Sequence, residues 1–237
     1  MLVPYETWQW ADLETVPIQV HSIEEIYSRY YPPVSDISTR LLVLNAVSGV
    51  GRSTVGKLVQ QQMGKNAGVM RNFTTRDPRG EDERDRLIFG SRANLALQML
   101  DGEVLFYVEW EGNGQVYALL RSELTRMAAF ETAILETTHF GWPLKAQNPR
   151  LVTNVWLTCA DPGTIERHLA ARGTESLDEQ EQRLRSAIDD QAYILAKKDE
   201  LIRLGKVDAV IEVGNLTADD VANAVLNEMD KQLAAWV

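Results

Sequence analysis

The chain has 237 residues, which fits one large domain, and 45% of them are hydrophobic, so a sizeable core can form. Its formal net charge of −10 disfavours nucleic acid and anionic membranes as partners, so any bound phosphate needs a local basic site. The single cysteine, Cys159, excludes an internal disulfide. No run of about 18 apolar residues and no secretory signal pattern is present, so we expect a cytoplasmic protein that does not span a membrane.

Residues 1–40 differ from the rest of the chain and are predicted to form an N-terminal extension. A helix is predicted to begin at Ser22, with acids in its first turn, and to end before Pro32. The extension is rich in aromatic residues, namely Tyr5, Trp8, Trp10, Tyr27, Tyr30 and Tyr31. We expect these side chains to pack against the main domain or a partner chain, which leaves a homodimer open.

From residue 40 onward, short apolar runs alternate with helical patterns. Strands are predicted at 41–46, 69–73, 103–110, 115–120, 132–137, 151–159 and 207–213. Helices are predicted after residue 51, at 91–100, from 161 to about 171, from about 178 to 204, and from 217 onward. This alternation predicts an α/β fold in which helices cover both faces of a parallel sheet.

The segment AVSGVGRST, between the first strand and the first of these helices, is typical of a phosphate cradle. Small residues let successive backbone N–H groups turn around a phosphate, and the helix N-terminus adds its positive end. In the P-loop pattern G-x-x-x-x-G-K-[ST], Ala46 stands at the first glycine and Gly51 at the second. Arg52 then takes the lysine position and Ser53 the hydroxyl position.

The cradle residues predicted to bind nucleotide phosphates are Ser48, Gly49, Val50, Gly51, Arg52, Ser53 and Thr54. We expect Arg52 to neutralise the transferred phosphoryl group and Ser53 to bind magnesium. Arginine keeps the positive charge of lysine but is bulkier and planar, so phosphate binding could persist while turnover falls. The alternative is a plain glycine turn between a strand and a helix, and its position after a buried strand favours the cradle.

Further segments carry a resemblance to a known family. TTRDPR (74–79), GNGQVYA (112–118), ARGTES (171–176) and QRLRSA (182–187) follow the cradle in this order. Together with the cradle they resemble the guanylate kinase family of nucleoside monophosphate kinases, over about residues 40–235. TTRDPR and the ARGTES–QRL combination are the most specific of these matches.

The resemblance implies a P-loop fold of three layers, with a parallel sheet between helices, and a kinase that uses ATP and Mg²⁺. Residues 41–237 would form the guanylate kinase-like domain. Within it, residues from about 72 to 120 would form a small β-region that binds the acceptor. A helical lid would extend from about 171 to 182.

The resemblance also assigns roles to single residues. Arg76 and Arg79 would grip the acceptor phosphate, because guanidinium groups form paired hydrogen bonds with phosphate oxygens. Tyr117 would donate its hydroxyl to the same phosphate. Arg172, on the lid, and Arg183, on the next helix, would act as catalytic groups that close over the donor phosphates.

The chain departs from the family pattern at several positions. Leu87 replaces a tyrosine, and Phe106 replaces the glutamate that reads guanine. Asn72, in place of a base-contacting serine, is retained as an acceptor contact. Glu136 ends the strand at 132–137 and is kept as a contact to a magnesium-bound water or to the base. Glu109 is an alternative acid, although strand alternation puts it in the wrong register.

These departures leave the function open among three hypotheses. The first is ATP-dependent phosphorylation of GMP or a related small phosphate. The second is a catalytically degenerate binding module. The third is suggested by FYVEWEGNGQVY, which also resembles ribose 1,5-bisphosphate kinases of the same superfamily. The histidines add no metal site: His139 is predicted to be a loop or core residue and His168 to face solvent.

Overall fold

The computed structural model describes residues 38–110, 114–138, 140–172 and 177–234. Almost all of the predicted extension, the turn at 111–113, His139 and residues 173–176 of the predicted lid lie outside the described residues. The described chain divides into two compact units. The small unit comprises Arg71–Arg126, and the large unit comprises the described residues before and after that segment.

The large unit contains a five-stranded sheet and six helices within the described residues. Its strands are β1 Arg40–Ala46, β2 Ala67–Val69, β7 Thr132–Thr137, β8 Val152–Thr158 and β9 Ala209–Glu212. Its helices are α1 Arg52–Met63, α4 Gly141–Gln147, α5 Pro162–Arg172, α6 Leu177–Arg203 and α7 Ala218–Ala234, together with the 3₁₀ helix Gly64–Asn66. The strand order is β2-β7-β1-β8-β9, and every neighbouring pair is parallel.

The three central strands of this sheet are buried along almost their whole length. This follows from the sequence, because a parallel strand that is covered on both faces consists of nearly continuous apolar residues. The apolar core includes residues from Leu42 on β1 to Met229 on α7. The apolar stripe of α7, formed by Val221, Val225 and Met229, is buried as predicted. A parallel sheet flanked by helices confirms the predicted fold class.

The small unit contains a four-stranded sheet in the order β4-β3-β6-β5. Its elements are β3 Asn72–Thr74, the 3₁₀ helix Glu81–Asp85, β4 Leu87–Phe89, α2 Arg92–Leu100, β5 Val104–Trp110, β6 Gln115–Leu120 and α3 Arg121–Met127. Strands β3 and β4 are parallel, whereas β3–β6 and β5–β6 are antiparallel. Ser91 caps α2 as predicted, and Asn94 completes a reciprocal capping box. The core packs around Phe73, Leu95 and Val116.

The single strand predicted at 69–73 is wrong. β2 ends at Val69 in the sheet of the large unit, and β3 begins at Asn72 in the sheet of the small unit. An unbroken apolar run does not show where a chain leaves one sheet for another. The short β4, α3 and α4 were not predicted either, because three to seven residues are too few to display a period. No helix in the described ranges is long and apolar enough to cross a membrane.

Candidate active site

The glycine turn between β1 and α1 has the backbone of a phosphate cradle. Gly49 and Gly51 adopt φ angles of +87° and +92°, in the left-handed region that favours glycine. A Cβ atom on Gly49 would lie 2.9 Å from Cγ2 of Ile165, so this position also requires the space that glycine leaves. Val50 is buried and Ser48 is half-buried, while Thr54 is exposed. The turn leads directly into the N-terminus of a 12-residue helix, where backbone N–H groups favour an anion.

Arg52 lies at the start of α1 and contacts the carboxyl ends of two central strands. Its Nη1 donates to the carbonyl of Ala46, on β1, and to Oγ1 of Thr138, just after β7, both at 3.0 Å. Thr138 donates in turn to the same carbonyl at 2.9 Å. Ligands bind at the carboxyl ends of parallel strands in α/β sheets, so this arrangement puts a permanent positive charge at the expected edge. Sequence reasoning missed Thr138, because only the sheet brings it to Arg52.

Ser53 and Glu136 form a hydroxyl–carboxylate pair beside the cradle. The Oγ atom of Ser53 donates to Oε2 of Glu136 at 2.9 Å, and Glu136 is buried at 7% exposure. Gly56, one turn along α1, makes room for this carboxylate, since a Cβ atom there would lie 2.2 Å from Oε1 of Glu136. The sequence left Glu136 open between a magnesium-bound water and the base of the acceptor, and its hydrogen bond to Ser53 puts it beside the cradle. No sequence pattern marked Gly56.

The pair has the chemistry that magnesium requires. Mg²⁺ prefers oxygen ligands and is usually held by one or two protein side chains together with substrate phosphates and water. The hydroxyl of Ser53 and the carboxylate of Glu136 supply two such oxygens within one hydrogen-bond length. Within the described ranges there is no cluster of three or more His, Cys, Asp or Glu side chains that could hold a metal by itself. The donor set therefore fits a magnesium ion whose other ligands are phosphate oxygens and water.

Helix α5 packs directly against the cradle. Ile165 is buried beneath Gly49, and Nδ1 of His168 lies 2.7 Å from the carbonyl oxygen of Gly49. Because a carbonyl only accepts, Nδ1 carries the proton in this contact. His168 is exposed, but the prediction of a merely solvent-facing histidine is incomplete, since its ring also holds the loop. The chain separation of 119 residues gave the sequence no signal of this contact.

Arg172 and Arg183 flank the segment at 173–176. Arg172 is the last residue of α5, and Arg183 lies in the second turn of α6 and is half-buried. Their predicted contact with donor phosphates stays a prediction.

Two of the predicted acceptor residues, Arg76 and Arg79, contact the same carboxylate, that of Glu83. Arg76 has a side chain only 6% exposed, and its Nη1 and Nη2 donate to the two oxygens of Glu83 at 3.0 and 2.6 Å. The backbone N–H of Arg79 donates to the same carboxylate at 2.7 Å. Tyr117 also forms a hydrogen bond with Arg76. The structure therefore brings Arg76 and the backbone of Arg79 together around an anion, with Tyr117 in contact with Arg76.

Two further contacts hold the guanidinium of Arg76. Its Nη1 donates to the carbonyl of Asp77 at 2.8 Å, and the group lies 5.4 Å from the ring centroid of Phe89. Burial by itself lowers the pKa of Arg76, but the hydrogen bond to Glu83 and the interaction with Tyr117 outweigh it and raise the pKa. Burial likewise raises the pKa of Glu83, and the bonds from Arg76 and Arg79 reverse this, so the pKa lies below its usual range. Both groups are charged at neutral pH.

The other predicted recognition residues are buried or paired. Asn72, at 8% exposure, donates its backbone N–H to the carbonyl of Arg86 at 3.0 Å. Phe106 is buried at 7% exposure. Glu109 forms an ion pair with Arg92, whose side chain is 45% exposed. The second oxygen of Glu109 is buried and has no hydrogen-bond partner among the described residues.

A cluster of ion pairs around Glu123 joins the two ends of the small unit. Glu123 is only 2% exposed and accepts hydrogen bonds from Arg71 and Arg126, the first and last residues of that unit. The backbone N–H of Arg71 donates to it as well, at 2.9 Å. Burial raises the pKa of Glu123, but these hydrogen bonds outweigh it and hold the pKa below its usual range. The cluster therefore joins the two points at which the chain enters and leaves the small unit.

The cradle and its surroundings define the class of protein. A glycine turn at the carboxyl end of a central parallel strand, followed by a helix and faced by a hydroxyl–carboxylate pair, is the arrangement of P-loop phosphate-binding proteins.

Known proteins narrow this class. The chain is 32% identical over 155 residues to guanylate kinase from Thermobifida fusca, covering 65% of this chain and 78% of that protein. It is 29% identical over 207 residues to the ribose 1,5-bisphosphate phosphokinase of Achromobacter xylosoxidans, covering 82% and 98%. The solved guanylate kinase from Anaplasma phagocytophilum shares the fold, with a TM-score of 0.56, 16% identity and coverage of 84% and 88%. No family model matches. The chain belongs to the guanylate kinase family.

Proposed function

We propose that this protein transfers a phosphoryl group from ATP to a small phosphorylated acceptor, with GMP as the first candidate. One observation carries the proposal: each unit contains its own arrangement of cationic groups and N–H donors suited to an anion. The large unit offers the cradle with Arg52, and the small unit offers Arg76 with Tyr117 and the backbone of Arg79. Phosphoryl transfer needs positioning and charge neutralisation rather than a covalent nucleophile, and both arrangements supply these.

On the donor side, the backbone N–H groups of the cradle and the charge of Arg52 would hold the ATP phosphates. Ser53 and Glu136 would hold the magnesium ion, which when bound neutralises charge on the transferred group. His168 would keep the cradle in its binding conformation through the carbonyl of Gly49. Arg172 would add charge from the lid and Arg183 from the next helix, and closure of the lid would exclude water and protect ATP from hydrolysis.

On the acceptor side, Arg76, Arg79 and Tyr117 would bind the phosphate of the acceptor. Asn72 would contribute from the start of β3. A second candidate acceptor is a ribose bisphosphate, as in the name of the Achromobacter relative. The observation that favours it concerns the acid by which the family reads guanine. A buried phenylalanine, Phe106, stands at that position, and the carboxylate of the nearby Glu109 is paired with Arg92.

The test is ADP release in a coupled assay with ATP and magnesium, across GMP, other nucleoside monophosphates and ribose 1,5-bisphosphate. We expect acceptor-dependent ADP release with one of these compounds. Calorimetry with MgATP separates the remaining cases. ATP binding without turnover for any acceptor would indicate a degenerate kinase, and Arg52→Lys should then restore activity. If ATP does not bind and no acceptor reacts, the kinase proposal is wrong and a binding module remains.

A further inference from the structure

We infer that Glu83 is a built-in competitor of the acceptor phosphate and thereby sets which anions the small unit accepts. Its carboxylate occupies the guanidinium of Arg76, one of the groups predicted to bind the acceptor phosphate, and a phosphate dianion must displace it. Monoanions gain too little to do so and are rejected. This inference rests on the proposed function, because it concerns the same acceptor site.

Glu83 occupies N–H donors of both Arg76 and Arg79. Glu83 accepts two hydrogen bonds from the outer nitrogens of Arg76 and one from the backbone N–H of Arg79. Two parallel N–H···O bonds from a guanidinium are also the geometry by which arginine binds a phosphate. The carboxylate therefore uses the same edge of Arg76 that a phosphate would use.

Of the two partners in this ion pair, Glu83 is the one that can move. Arg76 is buried and is also held by the carbonyl of Asp77 and the ring of Phe89. Glu83 belongs to a 3₁₀ helix of five residues, Glu81–Asp85, and its side chain is 23% exposed. The hydrogen bond from its backbone N–H to Gly80 is long, at 3.4 Å. The cation is therefore held on several sides, whereas the anion lies on a short, partly exposed segment.

A phosphate monoester carries more negative charge than the carboxylate it would displace. Glu83 carries one negative charge, whereas a phosphate monoester carries about −1.5 to −2 at pH 7 and offers three strong acceptor oxygens. A dianion therefore gains more from Arg76 and the neighbouring N–H donors than the carboxylate loses when it moves into water. A free monoanion has no such advantage, because Glu83 is tethered beside the site at a high effective concentration.

A purely structural role for Glu83 predicts the opposite result. If Glu83 only held Arg76 in place, removing its charge would disorder the guanidinium and weaken anion binding. If Glu83 competes, removing its charge strengthens anion binding. The sign of the change in affinity therefore decides between the two roles.

The experiment is a calorimetric titration, without ATP, of inorganic phosphate at pH 8 and of acetate into the wild type, Glu83→Gln and Glu81→Gln. Glu81 is exposed on the same 3₁₀ helix, so its variant controls for the loss of one charge. We expect Glu83→Gln to bind phosphate roughly tenfold more tightly, the size of one charge-assisted hydrogen bond, and to gain acetate binding. Glu81→Gln should match the wild type. Equal or weaker phosphate binding by Glu83→Gln overturns the inference, as does failure of both wild type and Glu83→Gln to bind phosphate.

A crystal structure of the wild type with inorganic phosphate gives an answer even if Glu83→Gln does not fold. We expect phosphate on Arg76 and a distance between Nη2 of Arg76 and Oε1 of Glu83 well above its present 2.6 Å. A retained ion pair, or no phosphate at Arg76, overturns the inference. Failure in the ADP-release assay with a positive phosphate result would reject only the kinase function.

Discussion

The large and small units build their candidate anion sites from different materials. In the large unit the site is a backbone turn on strands buried in an extensive apolar core. In the small unit the apolar core is modest, and the candidate site is made of charged groups, with the guanidinium of Arg76 paired to Glu83. The donor site should therefore respond mainly to changes in packing and space, and the acceptor site mainly to changes in charge.

The acidic side chains of the two units also differ, in the direction in which their pKa values are shifted. Glu83 and Glu123, in the small unit, have lowered pKa values because arginines pair with them. In the large unit, burial raises the pKa of Asp190 to about 7, with a further contribution from Asp189. Burial also raises the pKa of Asp208, although Lys145 lies 2.9 Å away. As pH rises through the acid range, ionisation stabilises the small unit, whereas ionisation of Asp190 and Asp208 destabilises the large unit.

The largest expected effect is on turnover. Glu136→Gln removes the carboxylate that would hold magnesium beside Ser53, so kcat should fall roughly 100- to 1000-fold, the range for loss of one electrostatic contact to the transferred group. Binding of the acceptor to the small unit should not change. Glu131→Gln, an exposed acid just before β7, is the matched control. A Glu136→Gln enzyme with normal kcat would remove Glu136 from the donor site.

The next largest effect tests whether the candidate donor site needs the space that Gly56 leaves for the carboxylate of Glu136. Gly56→Ala would put a methyl group against Oε1 of Glu136 and should lower kcat by roughly tenfold, as the carboxylate moves away. Stability should change little, since alanine favours the helix while the clash opposes it. In a double-mutant cycle, Gly56→Ala should cost much less in a Glu136→Asp background, whose shorter side chain relieves the clash. Strictly additive effects would contradict this explanation.

The third effect tests the charge network of the small unit. Glu123→Gln should lower the free energy of unfolding by about 2 kcal/mol. This is less than the ~3–5 kcal/mol of a fully buried pair, because Arg71 and Arg126 are 37% and 38% exposed to water. The same stabilisation should be lost from the wild type as pH falls below about 4.5, through the lowered pKa of Glu123. Denaturant unfolding across this pH range measures both, with Glu81→Gln as the control. A Glu123→Gln protein as stable as the control would show that the cluster adds nothing.

The smallest effect has the opposite dependence on pH. Asp190 is protonated more readily in the folded than in the unfolded chain, so its contribution to stability is lost as pH rises through about 7. Asp190→Asn should therefore raise the free energy of unfolding by about 1 kcal/mol at pH 8, discounted for partial exposure, and change it little near pH 4. Asp199→Asn, exposed on the same helix, should show no such trend. Equal effects of Asp190→Asn at both pH values would count against the raised pKa.

The sequence predicted the parts of the molecule that repeat a pattern. β1, β7 and β8 are continuous apolar runs, and the stripe on α7 has helical spacing, so local patterns were enough to predict both. The contacts around the cradle, by contrast, join residues that are far apart in sequence. Thr138 reaches Arg52 across 86 residues, and His168 reaches Gly49 across 119, so no local spacing could indicate them.

Glu83 illustrates a different limit. It lies only seven residues from Arg76, but it is one of four acids between residues 81 and 85, and nothing in the sequence tells which one turns inward. The same holds for Gly56, whose role depends on the carboxylate opposite it rather than on its own conformation. The motifs lead to a prediction of which groups bind anions, and only the folded chain shows that Glu83 occupies one of them, Arg76.

The most direct test of the two-site account is a pair of calorimetric titrations on two variants. Glu136→Gln should lose most of its affinity for MgATP and keep its affinity for inorganic phosphate measured without nucleotide. Arg76→Ala should keep MgATP binding and lose the phosphate binding that persists in the wild type when MgATP fills the cradle. If either variant loses both ligands while its melting temperature stays that of the wild type, the two anion sites are not separate and the account is contradicted.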